Sequence, residues 1–165
     1  MSRYSKRVAI ATVLVAGATA TSAWAVPPPP DSTFSGDTSQ TNVKNHQVDI
    51  QTDSNGHVSA FAIDWRAKCK RKGKSWTAGT TIQPGGDGLQ MDGEIFGADG
   101  SYNSKVNRKI KGVVTVSLRG TFVDNDNAQG TWKASVKVLK KNKKGKFKKF
   151  DSCKADITWS AARTG

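Results

Sequence analysis

The segment from Phe150 to Ala161 reads FDSCKADITWSA and alternates between apolar or small residues and polar ones. A period of two places one face of a β-strand in a core and the other face in water. The segment also carries Cys153, one of only two cysteines in the chain. We predict that it is the last strand of a β-domain and that its core face includes Cys153.

The residues before this strand also read as strands divided by turns. A first pair runs from Gln47 to Gln51 and from His57 to Cys69, with a turn at Asp53-Ser54-Asn55-Gly56 whose Asn-Gly pair accepts positive φ. Further strands are predicted at Trp76 to Gln83, Leu89 to Phe96, Tyr102 to Val106, Val114 to Phe122 and Trp132 to Val138, with a loop at Pro84 to Gly88 and turns at Ala98-Asp99-Gly100 and Asp124 to Asn127.

No window after residue 26 holds apolar residues at helical spacing for three turns. Eight or nine strands at intervals of about ten residues are typical of all-β proteins. We therefore predict a single-domain antiparallel β-sandwich with one disulfide, and a small β-barrel is the alternative. A parallel sheet is not expected, because no crossover helix is available.

The first 25 residues have the pattern of an export signal. Arg3, Lys6 and Arg7 precede an apolar stretch from Val8 to Ala20, and Ala23-Trp24-Ala25 supplies the small residues of a cleavage site. A membrane anchor is the alternative, but the apolar stretch is shorter than the ~20 residues that a spanning helix needs. We predict cleavage after Ala25 and a secreted, extracellular protein.

The prolines from Pro27 to Pro30 cannot continue a helix or donate to a sheet. We predict an extended leader over residues 26–33 and one folded domain over residues 34–165, which is an ordinary length for a single core.

Both cysteines lie in the part predicted to be exported, where an oxidising compartment favours a disulfide between Cys69 and Cys153. The bond would close a loop of 85 residues. Two free buried thiols or a metal site are the alternatives, although two cysteines without a histidine close in sequence make poor zinc ligands. No metal or other cofactor is predicted.

Positive charge is concentrated in two short segments. The chain has a net charge of +13, and Lys68 to Lys74 and Lys140 to Lys149 hold twelve basic residues and no acid. If Cys69 and Cys153 pair, both segments lie at the same end of the domain, because a disulfide requires Cα atoms within about 7 Å. The predicted anion-binding residues are Lys70, Arg71, Lys72, Lys74, Lys140, Lys141, Lys143, Lys144, Lys146, Lys148 and Lys149.

Twelve cations within a few Debye lengths produce a field that attracts a polyanion. Lysine-rich hairpins also serve as solvated loops that keep β-proteins from pairing edge to edge, and lysine lacks the planar fork with which arginine reads phosphate. A binding surface and a solubility device are therefore both open.

Residues for catalysis are scarce. The chain has His46, His57 and the single glutamate Glu94, and it contains no nucleophile or metalloprotease motif. No catalytic residue is assigned, and a hydrolase is kept only as a third hypothesis. Asp124 and Asp126 form a weak calcium candidate, although the glycine and distal glutamate of an EF-hand are missing.

A neutral-carbohydrate-binding module is the second hypothesis. Trp76 and Tyr102 are the candidates for stacking on a sugar ring, because Trp76 is predicted at a loop edge while the other tryptophans of the domain fall in the core phase of their strands. A partly buried anchor is the alternative role for Trp76.

Several short motifs together resemble a group of small secreted bacterial all-β proteins of unknown function with one Cys pair. They are Phe34-Ser35-Gly36, Thr38-Ser39-Gln40, the strand ending at Cys69, Gly120-Thr121-Phe122, Ala128-Gln129-Gly130-Thr131-Trp132, and Cys153 before Trp159-Ser160-Ala161. The resemblance implies an all-β fold with a Cys pair and assigns no catalytic or binding residue. The segment from Lys140 to Lys149 is longer and more basic than that group leads us to expect.

The prediction from sequence is thus a secreted, non-enzymatic β-protein whose lysine-rich end binds an anionic partner such as a wall polymer, an acidic polysaccharide or extracellular nucleic acid. A secreted structural domain without a ligand is a further alternative.

Overall fold

The computed structural model describes residues 26–41, 46–83, 89–92 and 95–165, with the backbone alone for residues 89–92 and 95. Nine strands lie in these ranges: β1 (Thr33–Thr38), β2 (Gln47–Thr52), β3 (Val58–Cys69), β4 (Ser75–Ile82), β5 (Leu89–Asp92), β6 (Ile95–Asn107), β7 (Ile110–Phe122), β8 (Asn127–Lys141) and β9 (Phe147–Arg163). The all-β prediction is confirmed. The predicted export signal and the loop at Pro84 to Gly88 lie outside the described residues.

All nine strands belong to one antiparallel sheet in the order β4-β3-β2-β1-β9-β8-β7-β6-β5. Every β-β connection from β6 to β9 is a hairpin between neighbours in this order. The turns after β6 and β8 therefore lie at one end of the sheet, and the turn after β7 lies at the other end.

Strand β9 has the predicted alternation. Cys153, Ala155, Ile157, Trp159 and Ala161 are buried, and the residues between them from Lys154 to Ser160 are exposed. The strand is longer than predicted because three strands hydrogen-bond to it: β8 along its length, β1 near its end and β3 near its start.

The Cys69–Cys153 disulfide is present, and it joins the residues at which β3 and β9 pair directly, with a Cα–Cα distance of 3.8 Å. Away from this point β3 and β9 separate, and the short strands β1 and β2 fill the opening. The side-chain amide of Gln40 closes the remaining gap, because it accepts from the backbone N of Arg66 at 2.8 Å and donates to its carbonyl at 2.7 Å.

One core lies on the inner face of the bent sheet. Phe61 of β3 stacks on Trp132 of β8 with ring centroids 6.3 Å apart, and Trp65 lies 6.1 Å from the same indole. Strand β4 also approaches β6 through side chains, since the hydroxyls of Thr80 and Tyr102 are 2.8 Å apart. The inward side chains of β3 are thus covered by β8, and β4 lies near β6, although neither pair of strands is adjacent in the sheet.

Three glycines on the inner face provide space for aromatic rings. Trp76 lies over Gly112, Phe96 over Gly120 and Trp159 over Gly130, and a methyl group at any of these glycines would overlap the ring. Because protein interiors are close-packed, such overlap is not relieved cheaply. These contacts explain why Gly112, Gly120 and Gly130 are tolerated inside strands.

Two predicted boundaries between residues 89 and 107 are wrong. Leu89 to Phe96 is divided between β5 and β6, which pair with each other. Ala98-Asp99-Gly100 is not a turn but lies inside β6, where Gly100 pairs with Val116. The Asp99 carboxylate binds the guanidinium of Arg119 on β7 at 2.6 Å, so a cross-strand partner replaces the local turn that Asp-Gly usually favours.

The proline segment lies against the folded domain. Pro28 is buried, and the carbonyls of Pro29 and Pro30 accept hydrogen bonds from Thr52 at 2.7 Å and from Ser32 at 3.0 Å. The backbone N of Val26 donates to the carbonyl of Phe122 at 3.2 Å. Residues 26–33 therefore cover the end of the sheet that carries the β2–β3 turn.

Replacement of both cysteines, Cys69→Ala with Cys153→Ala, is expected to lower the free energy of unfolding by about 4 kcal/mol, because the bond closes a long loop in the unfolded chain. The sequence separation is 84 residues. Urea unfolding of the variant beside the oxidised and reduced wild type measures this loss. A loss below about 1 kcal/mol would show that β1, β2 and Gln40 hold β3 to β9 without the bond.

Candidate anion-binding surface

The two basic segments predicted to meet do lie at the same end of the sheet. Lys68 pairs with Lys154 beside the disulfide, and the backbone N of Lys70 donates to the carbonyl of Ser152 at 2.9 Å. The β3–β4 turn is thereby held against the start of β9.

Phe150 connects the two segments through its ring. It is the extra residue of a β-bulge, since Val138 pairs with Asp151 and Leu139 with Lys149. The guanidinium carbon of Arg71 lies 3.8 Å from the ring centroid, and Nζ of Lys140 lies 4.9 Å from it. One aromatic ring thus contacts a cation from each segment.

A third basic segment, which the sequence analysis missed, joins them. The β6–β7 hairpin carries Lys105, Arg108, Lys109 and Lys111, and the backbone N of Lys141 donates to the carbonyl of Lys109 at 2.8 Å. In a run of consecutive hairpins every second turn lies at the same end of the sheet. The turn before β7 therefore lies at the same end as the turn before β9, and this rule could have identified the third segment from the strand pattern. The predicted strands end at Val106 and resume at Val114, and the hairpin turn that joins them was not assigned, so its cations were not placed beside the other two segments.

We call this surface the basic pole and define it as residues 68–74, 105–111 and 140–149. The three segments hold five, four and seven basic residues, sixteen in all, and no acid. All the anion-binding residues predicted from sequence lie within it. The segment from Lys140 to Lys149 is not one loop, however, because β8 extends to Lys141 and β9 begins at Phe147.

Asparagine side chains organise two of the three turns. Oδ1 of Asn142 accepts from the backbone N of Lys144 at 3.0 Å and of Lys146 at 2.9 Å, and Gly145 adopts a φ of 79°. Oδ1 of Asn107 accepts from the backbone N of Lys109 and Ile110. The backbone polar groups are satisfied locally, and the lysine side chains remain free to extend into solvent.

The basic pole is not neutralised by neighbouring acids. Among the described residues the ion pairs are His46–Asp37, His57–Asp53, Arg119–Asp99 and Arg163–Asp126, and none involves the pole. The next acid along the chain, Asp151, is buried, and its carboxylate accepts from the backbone N of Ser152 at 2.7 Å.

Lysines face each other directly across strands at three positions: Lys68 with Lys154, Lys105 with Lys111, and Lys140 with Lys148. Like charges in directly opposed positions destabilise a sheet. The pole is therefore a place where positive charge is concentrated at a cost to the stability of the fold.

The predicted stacking role of Trp76 is wrong. Its side chain is only 7% exposed because it faces the core from β4, over Gly112. Tyr102 is half-buried, its hydroxyl contacts that of Thr80, and burial raises the pKa of the phenol. Trp76 thus offers no ring face to a sugar, and the Tyr102 hydroxyl is engaged between β6 and β4.

The carboxylates of the calcium candidate have partners in the protein. Asp124 accepts from the backbone N of Asp126 at 2.8 Å and from the amide of Asn127, and these hydrogen bonds hold the pKa of Asp124 below its usual value. Oδ1 of Asp126 lies 3.9 Å from Arg163. Across the described ranges no three His, Cys, Asp or Glu side chains are grouped as metal ligands.

No protein-family model matches the chain, and no curated protein or solved structure matches it significantly. In the portion that the structure describes, no helix is long and apolar enough to cross a membrane. The resemblance to small secreted bacterial β-proteins stays a prediction.

The opposed lysines make a stability prediction. Lys105→Glu converts the repulsion with Lys111 into attraction and should raise the free energy of unfolding by about 0.5 to 1 kcal/mol at low salt, with Lys105→Gln giving about half of this. Urea unfolding at low and high salt measures the gain, which should vanish in high salt.

Lys133→Glu is the matched control. Lys133 faces Asp156 across β8 and β9, so the same substitution creates a like-charge pair there and should destabilise the protein. If Lys105→Glu destabilises the protein as much as Lys133→Glu does, repulsion between the opposed lysines is not significant.

Proposed function

We propose that this protein is a secreted, non-enzymatic binding protein that holds an anionic polymer at its basic pole. The observation that carries the proposal is the set of directly opposed lysines, two pairs within the pole (Lys105 with Lys111, Lys140 with Lys148) and one at its edge (Lys68 with Lys154). No described ion pair involves the pole. A bound polyanion would place negative charge between these lysines and remove the repulsion.

A solubility device would have a different charge pattern. Solubility is served by charges of both signs spread over a surface, with like charges kept apart. Here sixteen cations converge from three hairpins, and Phe150 contacts cations from two of the three. This convergence supports a surface selected for a partner.

Lysine rather than arginine dominates the pole, with only Arg71 and Arg108 as arginines. Ammonium groups act as point charges and do not impose the bidentate geometry of guanidinium. The pole is thus suited to a partner with a high density of negative charge, such as an acidic polysaccharide, a wall polymer or extracellular nucleic acid. It is less suited to recognition of one particular anionic group.

The carbohydrate-binding alternative has lost its main residue, because Trp76 is buried. Secretion remains part of the proposal: it rests on the export pattern of residues 1–25 and on the disulfide, which is compatible with an extracellular location.

The test is retention on immobilised heparin and on immobilised DNA across a salt gradient, beside a cation-exchange resin that reports charge alone. The variant Lys143→Ser, Lys144→Ser, Lys146→Ser removes three exposed cations from the β8–β9 turn. It should lose the excess retention on the polymers, and the slope of log affinity against log salt should fall by about 3.

A control variant has the same net charge but an intact pole. Gln51→Glu, Ser54→Glu and Gln129→Glu add three acids at exposed positions in the half of the sheet away from the pole. It should keep the excess retention on the polymers. If both variants shift equally on all three matrices, the lysines act only as solvated charge and the proposal fails.

A further inference from the structure

Among the residues whose side chains the structure describes, only two large hydrophobic ones are exposed, Val106 at 58% and Phe147 at 39%, and both lie in the basic pole. Single exposed apolar residues are common on proteins. Here the two coincide with the strongest concentration of charge in the molecule, where charged side chains would be expected instead.

The backbone places both residues at the ends of adjacent hairpins. Val106 is left out of the β6–β7 ladder by a bulge between the Lys105–Lys111 pair and the Asn107–Ile110 pair. Phe147 is the first residue of β9 and pairs with Lys141, whose backbone N donates to Lys109 of the neighbouring hairpin. The two hairpin ends are therefore held side by side.

Lysines lie close to Phe147. Nζ of Lys111 lies 4.8 Å from the ring centroid of Phe147, and Lys141 is its cross-strand partner. A lysine side chain can lie along apolar groups while its ammonium reaches sideways to water or phosphate. An exposed apolar side chain beside such cations fits a partner that is anionic at its surface and apolar just beneath.

We infer that the basic pole docks on an anionic phospholipid bilayer, with Phe147 and Val106 entering the layer between headgroups and acyl chains. The inference rests on the electrostatic surface of the proposed function and goes beyond it by naming a bilayer as a partner. Anionic headgroups attract the lysines, and the apolar side chains gain contacts that a water-filled polymer does not offer.

Nucleic acid does not account for these two side chains as well. Binding of single strands uses several aromatic rings on which successive bases stack. Phe147 is the one exposed aromatic among the described residues, Lys111 lies near its ring, and Val106 has no π-face.

The experiment measures binding of the oxidised protein, recovered after export and removal of its N-terminal segment, to sedimented vesicles. Vesicles of phosphatidylcholine mixed with phosphatidylglycerol should bind it, and vesicles of phosphatidylcholine alone should not. Phe147→Ser and Val106→Ser should each weaken binding by about fivefold, and together on the order of twentyfold. Retention on immobilised heparin should not change, because no charge is lost.

Ser54→Phe in the Phe147→Ser background is the matched control, because it adds an exposed ring at the β2–β3 turn, far from the pole. It should not restore binding. Phe147→Trp reports the depth of the side chain in the processed protein, from which Trp24 has been removed with the N-terminal segment. The tryptophans of the described residues, Trp65, Trp76, Trp132 and Trp159, are at most 7% exposed, so quenching by brominated acyl chains would come from position 147.

Vesicle binding that is unchanged in the Phe147→Ser, Val106→Ser variant, or a tryptophan at position 147 that brominated chains do not quench, overturns the inference. Unchanged heparin binding then leaves the proposed function standing with a soluble polymer as the partner. If the three-lysine variant keeps both vesicle and heparin binding, the inference and the proposed function both fail.

Discussion

The direct pairing of β3 with β9, covalently fixed between Cys69 and Cys153, is the constraint on which the rest of the structure depends. It brings together strands that are 84 residues apart in the chain. Near the disulfide β3 and β9 pair with each other, and further along β1 and β2 lie between them. Gln40 lies where the direct pairing ends and forms two hydrogen bonds to the backbone of Arg66. The bend that results brings Phe61 and Trp65 over Trp132 and encloses the core.

The same constraint builds the basic pole. Because Cys69 is followed at once by the β3–β4 turn and Cys153 is preceded by the β8–β9 hairpin, the disulfide forces two cationic segments together. The hairpin order then adds the β6–β7 turn as a third. Such a surface opposes folding through its own repulsion, and the aromatic rings of Phe150 and Phe147 offset part of this by contact with Arg71, Lys140 and Lys111. Stability and charge concentration are thus in competition at one end of the molecule.

Local sequence patterns predicted much of the fold, because strand alternation and turn formation depend on residues that are close together in the chain. Alternation identified β9, and the Asn55-Gly56 turn, where Gly56 adopts a φ of 77°, identified the β2–β3 hairpin. The predictions failed where a distant partner decided the outcome. Asp99-Gly100 reads as a turn, but Arg119 binds the aspartate across the strands. Trp76 reads as a residue at a loop edge, but Gly112 on another part of the sheet leaves space for its ring. The connection between Val106 and Val114 was not assigned as a hairpin turn, so Lys105, Arg108, Lys109 and Lys111 were not recognised as members of the pole.

The sequence alone determined the strand class, the face of most strands that is buried and the two densest groups of lysines, and it favoured a disulfide between the two cysteines. The first three follow from the period of a strand, from turn residues or from net charge, which operate within a few residues. Only the tertiary structure decided that β1 and β2 lie between β3 and β9, that three basic segments share one pole, and that lysines face lysines across the sheet. Strand order and register depend on contacts between residues that are far apart in the chain, and no local pattern records them.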